Sequence, residues 1–416
     1  MKFYIDPGTG SMLFTILIGM ISAAIYGAKN LLIKIRFKLS GDKGDKLDNG
    51  EVIDYAILTD DKRYWNLFKP ICDEFEKRGI KIVYFTASED DPAFEEKYEN
   101  VECFFTGKGN KSYANWNRLR AHIVLSTTPS LDVYQWKRSK DVDYYVHIPH
   151  AVSDITLYRM FGIDYYDAII LTGDYQINQV RKLEKVRNLK KKELVVLGMP
   201  SFDVMLKRIE EDEKDASVKD EREKAPCVLL APSWGSSSIF NKYGGRIIEA
   251  LLKTDNRIIV RPHPQSFVSE AEMLKKIMDK YPESERISWN QDTDNFDVLR
   301  KADVLVSDFS GVLFDYSMVF DKPIIYADTS FNKAPYDAAW LDDPLWTFEV
   351  LPRIGIQLTE DKIDNIGEII KDCINNKSYE AQRSEARKEC WQNIGKSAES
   401  IVDYLIQKRE ERCKVE

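Results

Sequence analysis

The chain has 416 residues, and its 60 Lys+Arg against 68 Asp+Glu leave a formal net charge of −8. That balance excludes the overall basic footprint of a nucleic-acid binder, so any cationic chemistry must be local. The six cysteines show neither a CxxC pair nor metal-ligand spacing, which predicts reduced thiols of a cytosolic compartment rather than a disulfide framework.

Residues 12–28 carry no charged side chain, and Lys29, Lys34, Arg36 and Lys38 follow closely. This pattern predicts an uncleaved transmembrane helix, with residues 1–40 as anchor and basic flank and the bulk of the chain placed in the cytoplasm by the positive-inside rule. A signal peptide cut near Ser22-Ala23-Ala24, a helix lying on the membrane surface and a buried core helix are the competing readings. Residues 41–50 read as a linker. Strands are expected at 52–58, 81–85, 103–106, 122–126, 144–148, 168–171 and 194–197, with an amphipathic helix over 64–78 stopped by Gly79. They make up a first domain over 51–209. The charged run 210–225 reads as a surface helix end followed by an interdomain linker, or simply as a solvated helix. A second domain over 226–378 follows, with strands at 228–231, 257–260, 304–306 and 324–326 and helices near 246–252, 270–281 and 311–320; a C-terminal helix occupies 379–416. Short apolar strands alternating with helices predict an α/β fold with doubly wound parallel sheets.

Such sheets present chemistry at the carboxyl ends of their strands, and two apolar runs in the second half end in reactive residues there. Arg261-Pro262-His263-Pro264 closes one; two prolines fix the backbone around an imidazole, as a positioned base or phosphate ligand requires, although a structural turn has the same look. Ser307-Asp308-Phe309-Ser310-Gly311 closes the other and opens a helix whose first amides suit an anion, while Ser310 is equally an ordinary N-cap. Asp308 would repel a phosphate and so suits orienting an imidazole or ligand hydroxyl. In the first half, Pro149-His150 ends a strand in the same manner, whereas His147 lies within the apolar run and reads as a core residue. Of the four histidines, His150 and His263 are therefore the candidate catalytic groups. Arg261, Ser307, Asp308, Ser310 and Gly311 are candidates for donor phosphates, and Ser233, Ser236 and Asp315 for further substrate contacts. Asp292-Thr293-Asp294 has the bare form of a metal-binding pair, but polar loops commonly carry it, and no metal or cofactor is expected.

At these residues the sequence resembles the CDP-glycerol glycerophosphotransferase family of teichoic acid synthesis. The likeness rests on Arg261-Pro262-His263-Pro264, on residues 307–316 with Asp321-Lys322-Pro323-Ile324 behind them, and on the Gly198-Met199-Pro200 turn. It implies a GT-B-like architecture, two Rossmann-like domains facing a cleft. It also implies transfer of glycerol phosphate from a CDP-activated donor to a membrane-linked acceptor of the cell envelope, without a metal. In that family a His-Gly-Thr histidine of the first domain looks to be the base, and His150 stands at that place with Ala151-Val152 following it. The family's second histidine, here His263, helps bind or activate the donor. A GT-B glycosyltransferase using a nucleotide sugar, a sugar epimerase of related fold and an inactive membrane scaffold are the alternative readings.

Overall fold

The computed structural model describes residues 52–214, 225–292 and 294–414. Among them, runs of Val, Ile, Leu, Tyr and Phe form two sheets in which every neighbouring pair is parallel. The first sheet contains β1 (Ile53–Thr59), β2 (Ile82–Thr86), β3 (Val101–Phe105), β4 (Ala121–Ser126), β5 (Val142–His147), β6 (Ala168–Leu171) and β7 (Glu193–Val196), in the order β3-β2-β1-β4-β5-β6-β7. The second contains β8 (Cys227–Leu230), β9 (Arg257–Val260), β10 (Ile287–Trp289), β11 (Val304–Ser307), β12 (Ile324–Ala327) and β13 (Gly355–Leu358), in the order β10-β9-β8-β11-β12-β13. Each order reverses once, between β1 and β4 and between β8 and β11. At such a reversal the connecting helices go to opposite faces, and the carboxyl ends of the two strands border a crevice.

Helices pack on the sheets through apolar stripes. Trp65–Lys77 buries Trp65, Leu67, Phe68, Ile71, Cys72 and Phe75 on one face, and the chain leaves it through Gly79 at φ 66°. One continuous core cluster joins both sheets, with Ile57 and Ile123 of the first in the same cluster as Leu229 and Leu305 of the second. Residues 52–416 accordingly form a single compact unit.

Polar ties also cross between the sheets' layers. The Asp154 carboxylate, past β5, accepts the amides of Trp346 and Thr347 at 2.8 Å each and so caps the helix Trp346–Ile354 from the other half of the chain. Arg187 lies buried between Asp164 and Asp337, and Asp337 also accepts the amides of Phe161 and Gly162. The last helix, Ser397–Cys413, returns to the first sheet, where Arg409 meets Asp54 at 2.7 Å and Lys408 meets Glu193 at 2.8 Å.

Two strands, β10 and β13, were not expected from the sequence; each is a short edge strand of three or four residues. The charged run begins as the end of a helix, Pro200–Lys214, as expected. The single-pass membrane placement with a cytoplasmic catalytic part requires correction: among the described residues no helix is long and apolar enough to cross a membrane. The segment 12–28 from which that placement was read lies outside the described residues.

Gly198 follows β7 at φ 90°, and a Cβ there would stand 2.4 Å from the carbonyl oxygen of Gln392 and 2.4 Å from the Ser397 hydroxyl. Both strain and overlap oppose any side chain. Gly198→Ala is therefore expected to lower the unfolding free energy by about 2 kcal/mol or more, measured by chemical denaturation.

Candidate active site

The crevices of the two sheets meet. A Cβ built on Gly311, just past β11, would touch the Cβ of Ala151, just past β5, at 3.4 Å. The residues at the carboxyl ends of β1, β4 and β5 thus face those at the ends of β8, β9 and β11.

On the first side, Pro149 ends the β5 backbone pairing and turns His150 out of the sheet. Its ring lies against Tyr64, centroids 4.9 Å apart, and Tyr158 at 6.0 Å, with the Thr127 hydroxyl 3.4 Å from Nδ1. Pro149, His150, Ala151 and Tyr158 line a small cavity of about 100 Å³. His150 keeps an exposed edge, yet the surrounding protein disfavours its cation, and Arg63 and His263 add to that effect; its pKa is pushed down to about 4.

On the second side, the Nδ1 of His263 accepts the Gln265 amide at 3.0 Å. A ring nitrogen that accepts has no proton of its own, so the neutral imidazole carries its proton on Nε2. Burial first, then Arg63, pushes its pKa down to about 4 as well, with Glu270 acting in the opposite sense. The two imidazoles are charge neighbours of one another and of the same arginine. At neutral pH both are uncharged, one with an unprotonated nitrogen to offer and the other with an N–H.

The expected phosphate ligands divide. Ser310 and Gly311 open the helix as the sequence suggests, its first bonds running from Leu313 to Ser310 and from Phe314 to Gly311, so the amides ahead of them have no partner within the helix. Gly311, not Ser310, is the N-cap residue, and no side chain caps this helix end. Ser307, by contrast, spends its buried hydroxyl on the carbonyl of Ala231 at 2.5 Å. The Asp308 carboxylate is buried and accepts the amides of Ser233 and Ile239 at 3.0–3.1 Å and of Phe309 at 2.8 Å. These two residues brace the ends of β8 and β11 instead of reaching the crevice, and Asp308 does not touch either imidazole through these bonds. Arg261 is turned to the 290–292 loop, donating to the Asn290 side chain and to the carbonyl of Asp292 at 2.8 Å. Asp292, Asp294 and Asp315 surround its charge. Asp315 accepts from Asn295 at 3.0 Å, and burial raises its carboxyl to about 6. Asp294 pairs with Arg208 at 2.5 Å, which uses the second member of the bare metal pattern for a helix-to-loop tie. Ser233 is buried under its loop and Ser236 is exposed on it.

Sequence reading missed Asp60, Arg63, Tyr64, Thr127, Tyr158 and Glu270. Asp60, just past β1, takes the Thr128 hydroxyl at 2.9 Å, and burial raises its carboxyl. Glu270 accepts the Gly235 amide at 3.0 Å and the Asn241 amide group at 2.6 Å, holding the loop after β8 beside His263. Thr127 directly follows an expected strand and Asp60 lies two residues past one, the same positional signal that singled out His150 and His263.

The comparisons with known proteins bear on family and fold. A family model described as CDP-Glycerol:Poly(glycerophosphate) glycerophosphotransferase matches residues 129–407. The chain belongs to that family. It is accordingly an enzyme of the glycerophosphotransferase type. Among solved structures, the wall teichoic acid polymerase TagF superposes with a TM-score of 0.55 at 15% identity, over 93% of this chain and 99% of that one. The UDP-GlcNAc 2-epimerase of Methanocaldococcus jannaschii gives 0.54 at 15% identity, over 85% and 100%. A glycosyltransferase from Rickettsia africae ESF-5 gives 0.51 at 11% identity, over 86% and 99%. At such identities the likeness establishes the fold, an α/β architecture similar to GT-B enzymes. No curated protein sequence shows a significant match.

The lowered imidazoles make stability pH-dependent. In the unfolded chain histidines take up protons near the ordinary value of 6.5, whereas in the fold burial lowers His147 to about 3 and His263 to about 4. Their contribution is present in full above pH 6.5 and is lost as pH falls from there towards 4. The melting temperature is expected to drop across that window, and His147→Phe to flatten the slope.

Proposed function

We propose that the enzyme transfers glycerol phosphate from CDP-glycerol to a hydroxyl of a cell-envelope polymer or its lipid-linked precursor, as in teichoic acid synthesis. The observation that supports it most is that each sheet ends a strand in a histidine, His150 beside Tyr64 and Thr127 and His263 with its Nδ1 held by the Gln265 amide, where the two halves approach at Ala151 and Gly311. The TagF structures include a variant soaked with CDPG, which superposes at a TM-score of 0.58 and 13% identity.

In this reading the donor lies at the carboxyl ends of β8, β9 and β11, its diphosphate against Ser310 and the amides that open the Gly311 helix, with Arg261 at the rim. Asp315 bears on that pocket by facing Arg261, and the loop carrying Ser233 and Ser236 forms its other edge. The acceptor hydroxyl approaches from the first sheet. Its oxygen attacks the glycerol-bearing phosphorus while His150 takes its proton on Nε2, the ring being held from the other side by Thr127 and Tyr64. A new P–O bond forms as the bond from that phosphorus to the oxygen of CMP breaks. His263 donates its Nε2 hydrogen to the phosphate of the departing CMP and stabilises the charge gathering there. Because both imidazoles remain neutral to about pH 4, the base is ready throughout the physiological range. Ser307 and Asp308 serve by keeping the two strand ends at a fixed separation.

Phosphoryl transfer asks chiefly for positioning and charge compensation. His150→Ala and His263→Ala are each expected to slow CMP release from CDP-glycerol by roughly 10²-fold or more, with the melting temperature maintained. Full turnover in either variant would remove that imidazole from the mechanism, and release of UDP from UDP-sugars in place of CMP would favour glycosyl transfer instead.

A further inference from the structure

The crevice holds a cation for which the mechanism above has no place. Arg63 lies four residues past the end of β1, at the reversal point of the first sheet. Its guanidinium carbon stands 5.3 Å from the centre of the Tyr64 ring, and the imidazole of His150 lies 4.9 Å from the same ring, so arginine and candidate base share one tyrosine as neighbour. Arg63 is also the charge neighbour of His263 from the opposite sheet.

Three features distinguish it from Arg261. The Arg261 guanidinium is spent on Asn290 and the Asp292 carbonyl amid three acids. The Arg63 side chain is 40% exposed, and its carboxylate partner, Asp61 at 3.3 Å, is 39% exposed, an ion pair worth little in water and readily exchanged for a stronger anion. The same Asp61 accepts the Arg63 amide at 2.9 Å, which anchors the backbone of the residue while the guanidinium keeps its reach.

A planar guanidinium matches two phosphoryl oxygens at once, and a cation placed where charge is redistributed during transfer contributes more than one bound to the ground-state diphosphate alone. Resting on the reading of CDP-glycerol transfer, we propose that Arg63 is a catalytic residue that clamps the non-bridging oxygens of the glycerol-bearing phosphoryl group between His150 and His263. It forms no covalent bond and moves no proton: the acceptor oxygen displaces CMP as before, and Arg63 compensates the charge on the group as it passes.

The role has a second consequence. Thr127, Tyr64 and Tyr158 stand around the His150 ring and Trp234 beside the His263 ring; Arg63 and His263 disfavour the His150 cation, and Arg63 and Arg261 disfavour that of His263 while Glu270 favours it. Arg63 is common to both sets and disfavours both imidazolium forms, so its removal allows the rings to protonate at higher pH.

The test is steady-state CMP release from CDP-glycerol by the full chain and its Arg63→Gln and Arg63→Lys variants, with thermal shift by CMP alone as a control. Arg63→Gln should lower kcat by roughly 10²- to 10³-fold while the CMP shift persists, since CMP lacks the group in transfer. Arg63→Lys should recover part of the loss, because a point charge replaces the fork. The acid limb of kcat/KM should move to higher pH in Arg63→Gln. A kcat within about threefold of wild type, or equal losses in both variants with no movement of the acid limb, overturns the proposal and leaves the transferase reading standing. A wild-type protein that releases no CMP overturns that reading, and this one with it.

Discussion

The reversal of strand order in each parallel sheet is the constraint on which the rest of the molecule depends. Parallel pairing sends every strand of a sheet the same way, so all its carboxyl ends lie on one edge, and the reversal opens that edge where no helix covers it. Two sheets built this way in one chain, joined through a shared core of Ile57, Ile123, Leu229 and Leu305, bring the residues after β1, β4 and β5 against those after β8, β9 and β11. The close approach of Gly311 to Ala151, where a Cβ on the glycine would meet the alanine methyl at 3.4 Å, follows from backbone geometry.

Rigidity at the strand ends comes from groups that do no chemistry. Asp308 collects three backbone amides, Ser307 reaches a carbonyl of β8, and Glu270 holds the next loop. A buried carboxylate with this many donors is stable only in one arrangement of its neighbours. The protein around His263 likewise disfavours its charge. Desolvation and the nearby arginine act together on His150 and His263, and both rings stay neutral where free histidine is about to titrate.

Much of this was legible before any coordinates. The apolar runs at 168–171 and 257–260 coincide with β6 and β9, and the pairing of strand end with proline and imidazole singled out His150 and His263, which the fold brings to one crevice. The short edge strands escaped notice because three or four residues carry too little periodicity. Ser307 and Asp308 resemble ligands in a string of letters, since hydroxyls and carboxylates that brace a backbone are the same groups that bind phosphate; only partner and burial separate the two uses. Arg63 was hidden in a charged run, Asp60-Asp61-Lys62-Arg63, where nothing local marks one cation as the neighbour of Tyr64 and His150.

The central claim is that one diphosphate lies between the carboxyl edges of both sheets, and a crystal structure of the His150→Ala variant soaked with CDP-glycerol tests it most directly. The account predicts density for the nucleotide at the ends of β8, β9 and β11, with a phosphate oxygen within about 3 Å of His263 Nε2 and the glycerol-bearing phosphorus on the side of residue 150. Nucleotide bound instead in the separate 290 Å³ cavity lined by Tyr175 and Trp346, with the crevice between the sheets left to solvent, would contradict it.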